Sequence, residues 1–215
     1  MLRLKGLQLY NWGFAPFQVP LPIGDITLLQ GRNGSGKTTY LSALTLLLGA
    51  NHLPKRQRFE RFIYPDAEWA FLRALADNKP DKRGKRPFDP VFGSMFEETV
   101  TLACVLERKS SWQRTYYIIP GDYVPEPQKR PDKKYQFPQN EYRQMLRHVG
   151  VRDALLNLLE VGLHGLRDIA RDPRSRFDFF LKLVGDEETQ ERYQNAKNEW
   201  YRQREQTVRL EDKLA

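Results

Sequence analysis

The run Gly31-Arg32-Asn33-Gly34-Ser35-Gly36-Lys37-Thr38-Thr39 holds the residue types that grip a phosphate. It fits the spacing G-x-x-x-x-G-K-[ST]. Its glycines let backbone N–H groups turn inward around an anion, which Cβ atoms would obstruct. In that arrangement Asn33, Gly34, Ser35 and Gly36 line a cup of amides, and Lys37 reaches the β- and γ-phosphates as a point charge. The Thr38 hydroxyl ligates Mg²⁺ and Thr39 donates to the α-phosphate. The N–H groups of the first helical turn complete the anion site. The alternative is a Gly/Ser-rich surface turn that happens to contain Gly-Lys-Thr.

Such a loop needs a buried strand before it and a helix after it. Ile26-Thr27-Leu28-Leu29-Gln30 is a β-prone apolar run ending at Gly31, which predicts the strand. Leu41, Leu44, Leu47 and Leu48 recur at helical spacing, with Gly49 placed to cap the C-terminus. Both elements favour a nucleotide over the chance turn.

Upstream, Leu2, Leu4, Leu7 and Leu9 around Gly6 predict a strand with a bulge. Asn11-Trp12-Gly13 reads as a turn, Phe14–Val19 as a second, edge strand, and Leu21–Asp25 as another turn. Downstream, the apolar residues between Phe59 and Ala76 predict one or two helices. Lys79–Pro87 is a basic Pro/Gly loop. Thr99–Leu106 and Gln113–Ile119 predict a hairpin joined across Arg108–Ser111. Residues 120–138 hold five prolines, which predicts a long loop or arm. Tyr142–Leu159 predicts a helix broken near Gly150, and 163–170 a connector. Asp172 and Pro173 have the types of an N-cap and a first helical residue. From Glu187 to Ala215 the chain has no Pro or Gly. Tyr193, Ala196, Trp200, Gln203, Thr207, Leu210 and Leu214 follow heptad spacing there, the pattern of a coiled coil or of one amphipathic helix.

With 215 residues, 40% of them apolar and 29% charged, the chain can bury a proper core. The net charge of +8 favours a polyanionic partner. From Leu53 to Arg86 ten basic residues face five acidic ones, so this span carries much of the excess, either as a solvated loop or in nucleic-acid contact. The lone Cys104 excludes an internal disulfide and a cysteine zinc cluster, and it fits a reducing compartment. No apolar stretch reaches the length of a membrane span, and Met1–Lys5 lacks a signal-peptide core. The expected location is cytoplasmic, with no membrane partner.

The strand ending Tyr10-Asn11-Trp12-Gly13, the loop 31–39 and the helix Leu41–Gly49 together resemble the N-terminal half of an SMC-type ATPase head. Arg171–Gly185 is similar to the segment by which such heads exit into their coiled coil. The Asn-Trp-Gly start resembles the MukB/MksB/JetC branch (bacterial condensins and Wadjet plasmid defence), with SbcC-type repair ATPases and other SMC-like defence proteins as alternatives. The resemblance implies an α/β P-loop NTPase fold. It would be an ABC/SMC-type half head with a β-rich N-terminal lobe over 1–185 and the root of an antiparallel coiled coil over 186–215.

The resemblance further implies a composite ATPase using ATP and Mg²⁺. Its partners would be the C-terminal half of the same head, a second head in a homodimer, double-stranded DNA, and a kleisin-like or nuclease subunit. No signature motif and no apolar run ending in Asp-Glu stands in this sequence, so a catalytic set is incomplete here. The glutamine expected near Gly162 is also missing, with His164 the nearby polar residue. Arg56 or Arg58 has the spacing of an arginine that reaches the phosphates, against the alternative of plain surface arginines. Trp12 and Phe14 are candidates to flank the adenine, with core packing as the equal alternative. An ABC transporter nucleotide-binding domain and a non-hydrolysing ATP-gated scaffold are the competing functions.

Overall fold

A computed structural model describes residues 2–53, 57–93, 96–126, 129–152, 156, 172–173, 176–177, 181 and 187–214. Arg56, His164 and the connector 163–170 lie outside them. The chain divides into two compact units, Met1–Gly162 and Leu163–Ala215.

The first unit is built on one antiparallel sheet. Its strands are β1 (Leu4–Tyr10), β2 (Leu21–Pro22), β3 (Trp69–Asp77), β4 (Thr99–Arg108), β5 (Trp112–Pro120) and β6 (Gln136–Phe137), in the order β2-β1-β3-β4-β5-β6. The expected bulge in β1 is present, since its register against β3 shifts between Leu4 and Gly6. The expected hairpin is present too, with Arg108 opposite Trp112 and Val100 opposite Pro120.

One face of the sheet is packed by α1 (Lys37–Leu47) and α3 (Gln139–His148); between them in the chain comes the short α2 (Asp89–Phe92). Leu9, Leu72, Leu102, Leu106 and Ile118 meet Leu46, Leu47 and Leu146 in this core. Tyr142 stacks on Tyr116 at 4.7 Å, and its hydroxyl donates to the Leu47 carbonyl at 2.8 Å, which ties α3 to the end of α1. That end is a Schellman motif: Gly49 N–H donates to Leu46 O, and Ala50 N–H to Thr45 O. Helix α3 closes the same way at Gly150, so the predicted helix 142–159 ends at His148, and Leu156 is helical again.

On the opposite face, Phe71, Ala103, Val105, Tyr117 and Ile119 make a second, smaller cluster. The segment after β5 is tied over it by Arg73. That buried guanidinium donates to Gln8 Oε1 at 3.0 Å, to Asp122 Oδ1 at 2.8 Å and to the Tyr123 carbonyl.

Three expectations are overturned. The span 59–76 is a 3-10 turn, Phe59–Phe62, followed by strand β3. A strand with Ala70, Phe71, Leu72, Arg73 and Ala74 buried in succession has no alternation, and periodicity cannot tell it from a buried helix. Phe14–Val19 makes only an isolated bridge, Tyr10 to Phe17, because Asn11 N–H closes a tight turn onto Pro16 O and Pro16 itself lacks a donor. The predicted strand 26–30 is absent. Residues 24–30 are all exposed, while β2, expected within a turn, forms the sheet edge just before them.

In the second unit, Pro173 is helical and Arg176 N–H donates to Asp172 O at 3.0 Å. Helix α4 spans Glu187–Leu214, matching the expected uninterrupted helix. Phe177 packs on Tyr193 at 5.3 Å. On the heptad seam Tyr193 is half-buried, and Ala196, Trp200 and Gln203 are exposed.

Candidate functional site

The nine-residue run of the motif is a turn that delivers the chain into α1. Gly36 is the N-cap of this helix in the left-handed region, φ +87°, and Gly34 lies at φ +84°. A Cβ at Gly31 would sit 2.4 Å from Ser35 Oγ, and one at Gly36 would sit 2.9 Å from the Phe14 ring. A side chain at Gly31 would displace the Ser35 hydroxyl, and one at Gly36 would displace the Phe14 ring and strain a left-handed backbone.

Helix α1 starts as an anion site should. No side chain caps its N-terminus, and no acidic residue stands in its first turn. Its leading N–H groups and dipole are left for a ligand. Lys37 Nζ donates to the carbonyls of Gly31 and Arg32, each at 2.7 Å, and to Ser35 Oγ at 3.3 Å. An ammonium has three donors, so the loop itself engages all of them. A phosphate oxygen must take over at least one.

Asn33, Gly34, Ser35 and Thr38 are exposed, whereas Thr39 is 7% exposed. What buries Thr39 is the turn at the end of β1. Gly13 lies against it, so close that a Cβ there would meet Thr39 Cγ2 at 2.7 Å. Trp12, 0% exposed, donates from Nε1 to the Thr39 carbonyl at 3.1 Å and stacks on Phe62 at 5.3 Å. Gln18 Nε2 donates to the Trp12 carbonyl. Trp12 is thus core, and its function is to staple the first turn of α1 to the sheet. Of the two candidates for an adenine contact only Phe14 remains open, exposed beside Gly36. Sequence reasoning missed this positioning role of Trp12, Gly13 and Gln18, for which Gly13 after an aromatic residue was the available signal.

Arg58 is exposed and leads into the 3-10 turn at Phe59–Phe62. That turn is drawn to the same place, because Gly13 N–H donates to Phe62 O at 2.6 Å and Trp12 bridges to Ile63. Arg114 holds its other side, with the guanidinium 5.7 Å over the Phe59 ring. The reactive types in the core take no part in this site. Burial pushes the Cys104 thiol up to about 12 and raises the Tyr116 and Tyr142 hydroxyls.

The loop faces solvent at its front and no strand of the sheet leads into it, so its approach differs from the buried strand the motif calls for. The cradle itself fits a phosphate: tight glycines, an uncapped helix start and a lysine at the mouth.

Comparison with known proteins agrees on the motif. Residues 4–59, roughly a quarter of the chain, match the family model described as the P-loop containing region of AAA domain. No curated protein matches the chain. Among solved structures, the chain is similar to the recombination mediator protein RecF, in a structure titled as RecF-ATP in the RecFOR pathway. The identity is 16% and the TM-score 0.37, over 54% of this chain and 27% of the RecF chain. The family match places a P-loop region at residues 4–59, and in the described residues every strand pair of the sheet is antiparallel. No described helix is long and apolar enough to cross a membrane.

Proposed function

We propose that this chain is the ATP-binding N-terminal half of an SMC-type head, and that a further polypeptide segment completes the site. The observation that carries this reading is the approach to the phosphate loop. Ile26, Leu28 and Leu29 lead into the cup as an apolar β-prone run, yet Ile26 is 94% and Leu28 82% exposed. A run apolar on both sides is the composition of a strand buried on both faces of a parallel sheet. Among the described residues no strand of the sheet pairs with it. The C-terminal half of a head, with its carboxylates and signature motif, is the partner that such an approach strand fits.

In this reading Asn33, Gly34, Ser35, Gly36, Lys37, Thr38 and Thr39 hold the triphosphate, and Thr38 contributes to the Mg²⁺ shell. The metal supplies charge neutralisation between phosphates. Lys37 exchanges loop carbonyls for phosphate oxygens. Trp12 and Gly13 keep the helix start in place, and Arg58 stands on a turn anchored to the same staple. Arg56 and His164 remain candidates on the resemblance alone. Residues 1–185 form the head lobe and 186–215 the root of a coiled-coil arm. Two heads engage across ATP in the cytoplasm on double-stranded DNA, with a kleisin-like or nuclease subunit. The Asn11-Trp12-Gly13 turn leans the reading toward the MukB/MksB/JetC branch. The exposed basic loop 79–85 is a candidate contact for DNA phosphates.

The test is turnover. The 215-residue chain alone should bind Mg·ATP weakly and hydrolyse it negligibly. In the full assembly Lys37→Ala should abolish ATP binding and lower DNA-dependent hydrolysis by about a hundredfold or more. Robust steady-state hydrolysis by the isolated chain would overturn the half-head reading.

A further inference from the structure

A cavity of about 720 Å³ opens beside the turn that carries Asn11, and none of its lining residues belongs to the phosphate loop. Trp69, half-buried at the start of β3, lines it. The Arg130 guanidinium stands 5.8 Å over that ring and is fixed by a 2.6 Å ion pair with Glu107. One rim is the β4–β5 turn, with Arg108 and Lys109 exposed. The exposed Asp66 and Glu68 also line the cavity, Glu68 next to Arg108 across the strands.

The walls are held by backbone rather than by chance side-chain packing. Asn11 Nδ2 donates to the Trp69 carbonyl at 3.0 Å, Tyr64 N–H donates to Asn11 O at 2.9 Å, and Arg108 N–H donates to Glu68 O at 2.8 Å. Asn11 and Asp66 are the non-glycine residues with left-handed φ among those described, at 49° and 60°, and both line this cavity.

These groups match one ligand chemistry. A guanidinium lying over an aromatic ring makes a flat cationic platform against which a planar base stacks. Exposed cations in the same lining take a phosphate. Exposed carboxylates in the same lining accept from an exocyclic amine of the kind cytosine and adenine carry. Apolar or purely anionic ligands would leave one of the three sets unused.

We propose that the cavity is a second nucleotide site, distinct from the phosphate loop, which stacks an amine-bearing base against the Arg130–Trp69 pair and takes its phosphate on Arg108 and Lys109. The unit recognised is a nucleoside phosphate, either free or within a single-stranded nucleic acid. This inference does not rest on the ATPase reading.

The experiment uses the full chain carrying Lys37→Ala, so that the phosphate loop contributes little. It is titrated with dCMP, with AMP and with fluorescein-labelled single-stranded oligo-dC and oligo-dT of about ten nucleotides. The expected result is binding of oligo-dC tighter than oligo-dT by about threefold or more, for want of an exocyclic amine in thymine. Trp69→Ala should weaken oligo-dC binding by about tenfold, while Trp69→Phe, which keeps a stacking face, should retain most of it. Arg108→Glu with Lys109→Glu, both on the surface, should weaken it at least as much and leave the far-UV spectrum unchanged. Binding of the mononucleotides as well supports a free-nucleotide site, and binding of the strand alone supports a single-strand site. No binding of any probe, or binding unaltered in the folded Trp69→Ala and double charge-reversal variants, overturns the proposal.

Discussion

Two apolar β-prone runs in this chain meet opposite fates. In β4 every residue from Val100 to Leu106 is buried, while from Gly24 to Gln30 every residue is exposed. Their compositions are alike, with Val, Leu and Thr in one and Ile, Leu and Thr in the other. What differs is company. β4 has β3 and β5 at its edges, α1 on one face and the segment holding Asp122 and Tyr123 near the other. The run 26–29 has none of these. Burial is decided by neighbours, and a run that the composition marks as a strand becomes one only when a sheet accepts it. The lobe is self-sufficient around β4 and open along the flank that leads to the phosphate loop.

The sharpest way to break that comparison is at β4. Leu102 is wholly buried, with Ala74 and Ile118 as its cross-strand neighbours. Leu102→Ala removes buried methyl groups and leaves a cavity, which costs about 2–5 kcal/mol of unfolding free energy. Urea denaturation followed by circular dichroism measures it. A loss below about 1 kcal/mol would mean that β4 is not the centre of the folding unit.

The same contrast explains how much of the molecule was legible beforehand. The hairpin, the β1 bulge and the first helix with its Gly49 cap are local patterns, and they stand where the sequence put them. β3 was misread as helix because Ala70–Ala74 is buried on both faces, so its register carries no alternation. The expected strand 26–30 fails for a different reason: its composition is that of a strand, but no strand of the described sheet pairs with it. At the site, the cup residues follow from spacing alone. The staple from Trp12 to Thr39 could not, since a contact 27 residues apart has no local signature.

A comparable effect comes from the buried Cys104 thiol of β4 and the Tyr116 and Tyr142 hydroxyls. The Cys104 thiol titrates near 9.0 when exposed and is pushed up to about 12 by burial, so the folded state keeps a proton that the unfolded chain releases first. Stability is therefore full below about pH 9 and falls as pH rises toward 12. One such proton corresponds to a slope of about 1.4 kcal/mol per pH unit. Tyr116 and Tyr142, also raised by burial, steepen it further above pH 10. Denaturation midpoints taken between pH 8 and 11 should show the decline, and Cys104→Ala should flatten its lower part. A pH-independent midpoint in the wild-type chain would show that the thiol is reached by solvent.

The smallest stability effect, and the most telling, belongs to the open flank. Ile26→Ser with Leu28→Ser exchanges side chains that touch little, so the isolated chain should keep its unfolding free energy within about 0.5 kcal/mol. If the run is a strand awaiting a sheet, the same pair of changes places two hydroxyls in the buried face of the completed assembly, where each lacks a partner. ATP-dependent hydrolysis by the full assembly should then fall by about tenfold or more although Lys37 and its loop are untouched. An assembly that hydrolyses ATP at the wild-type rate with both serines present would mean that the run stays in solvent throughout. The phosphate loop would then have to be supported from some direction other than the strand that precedes it.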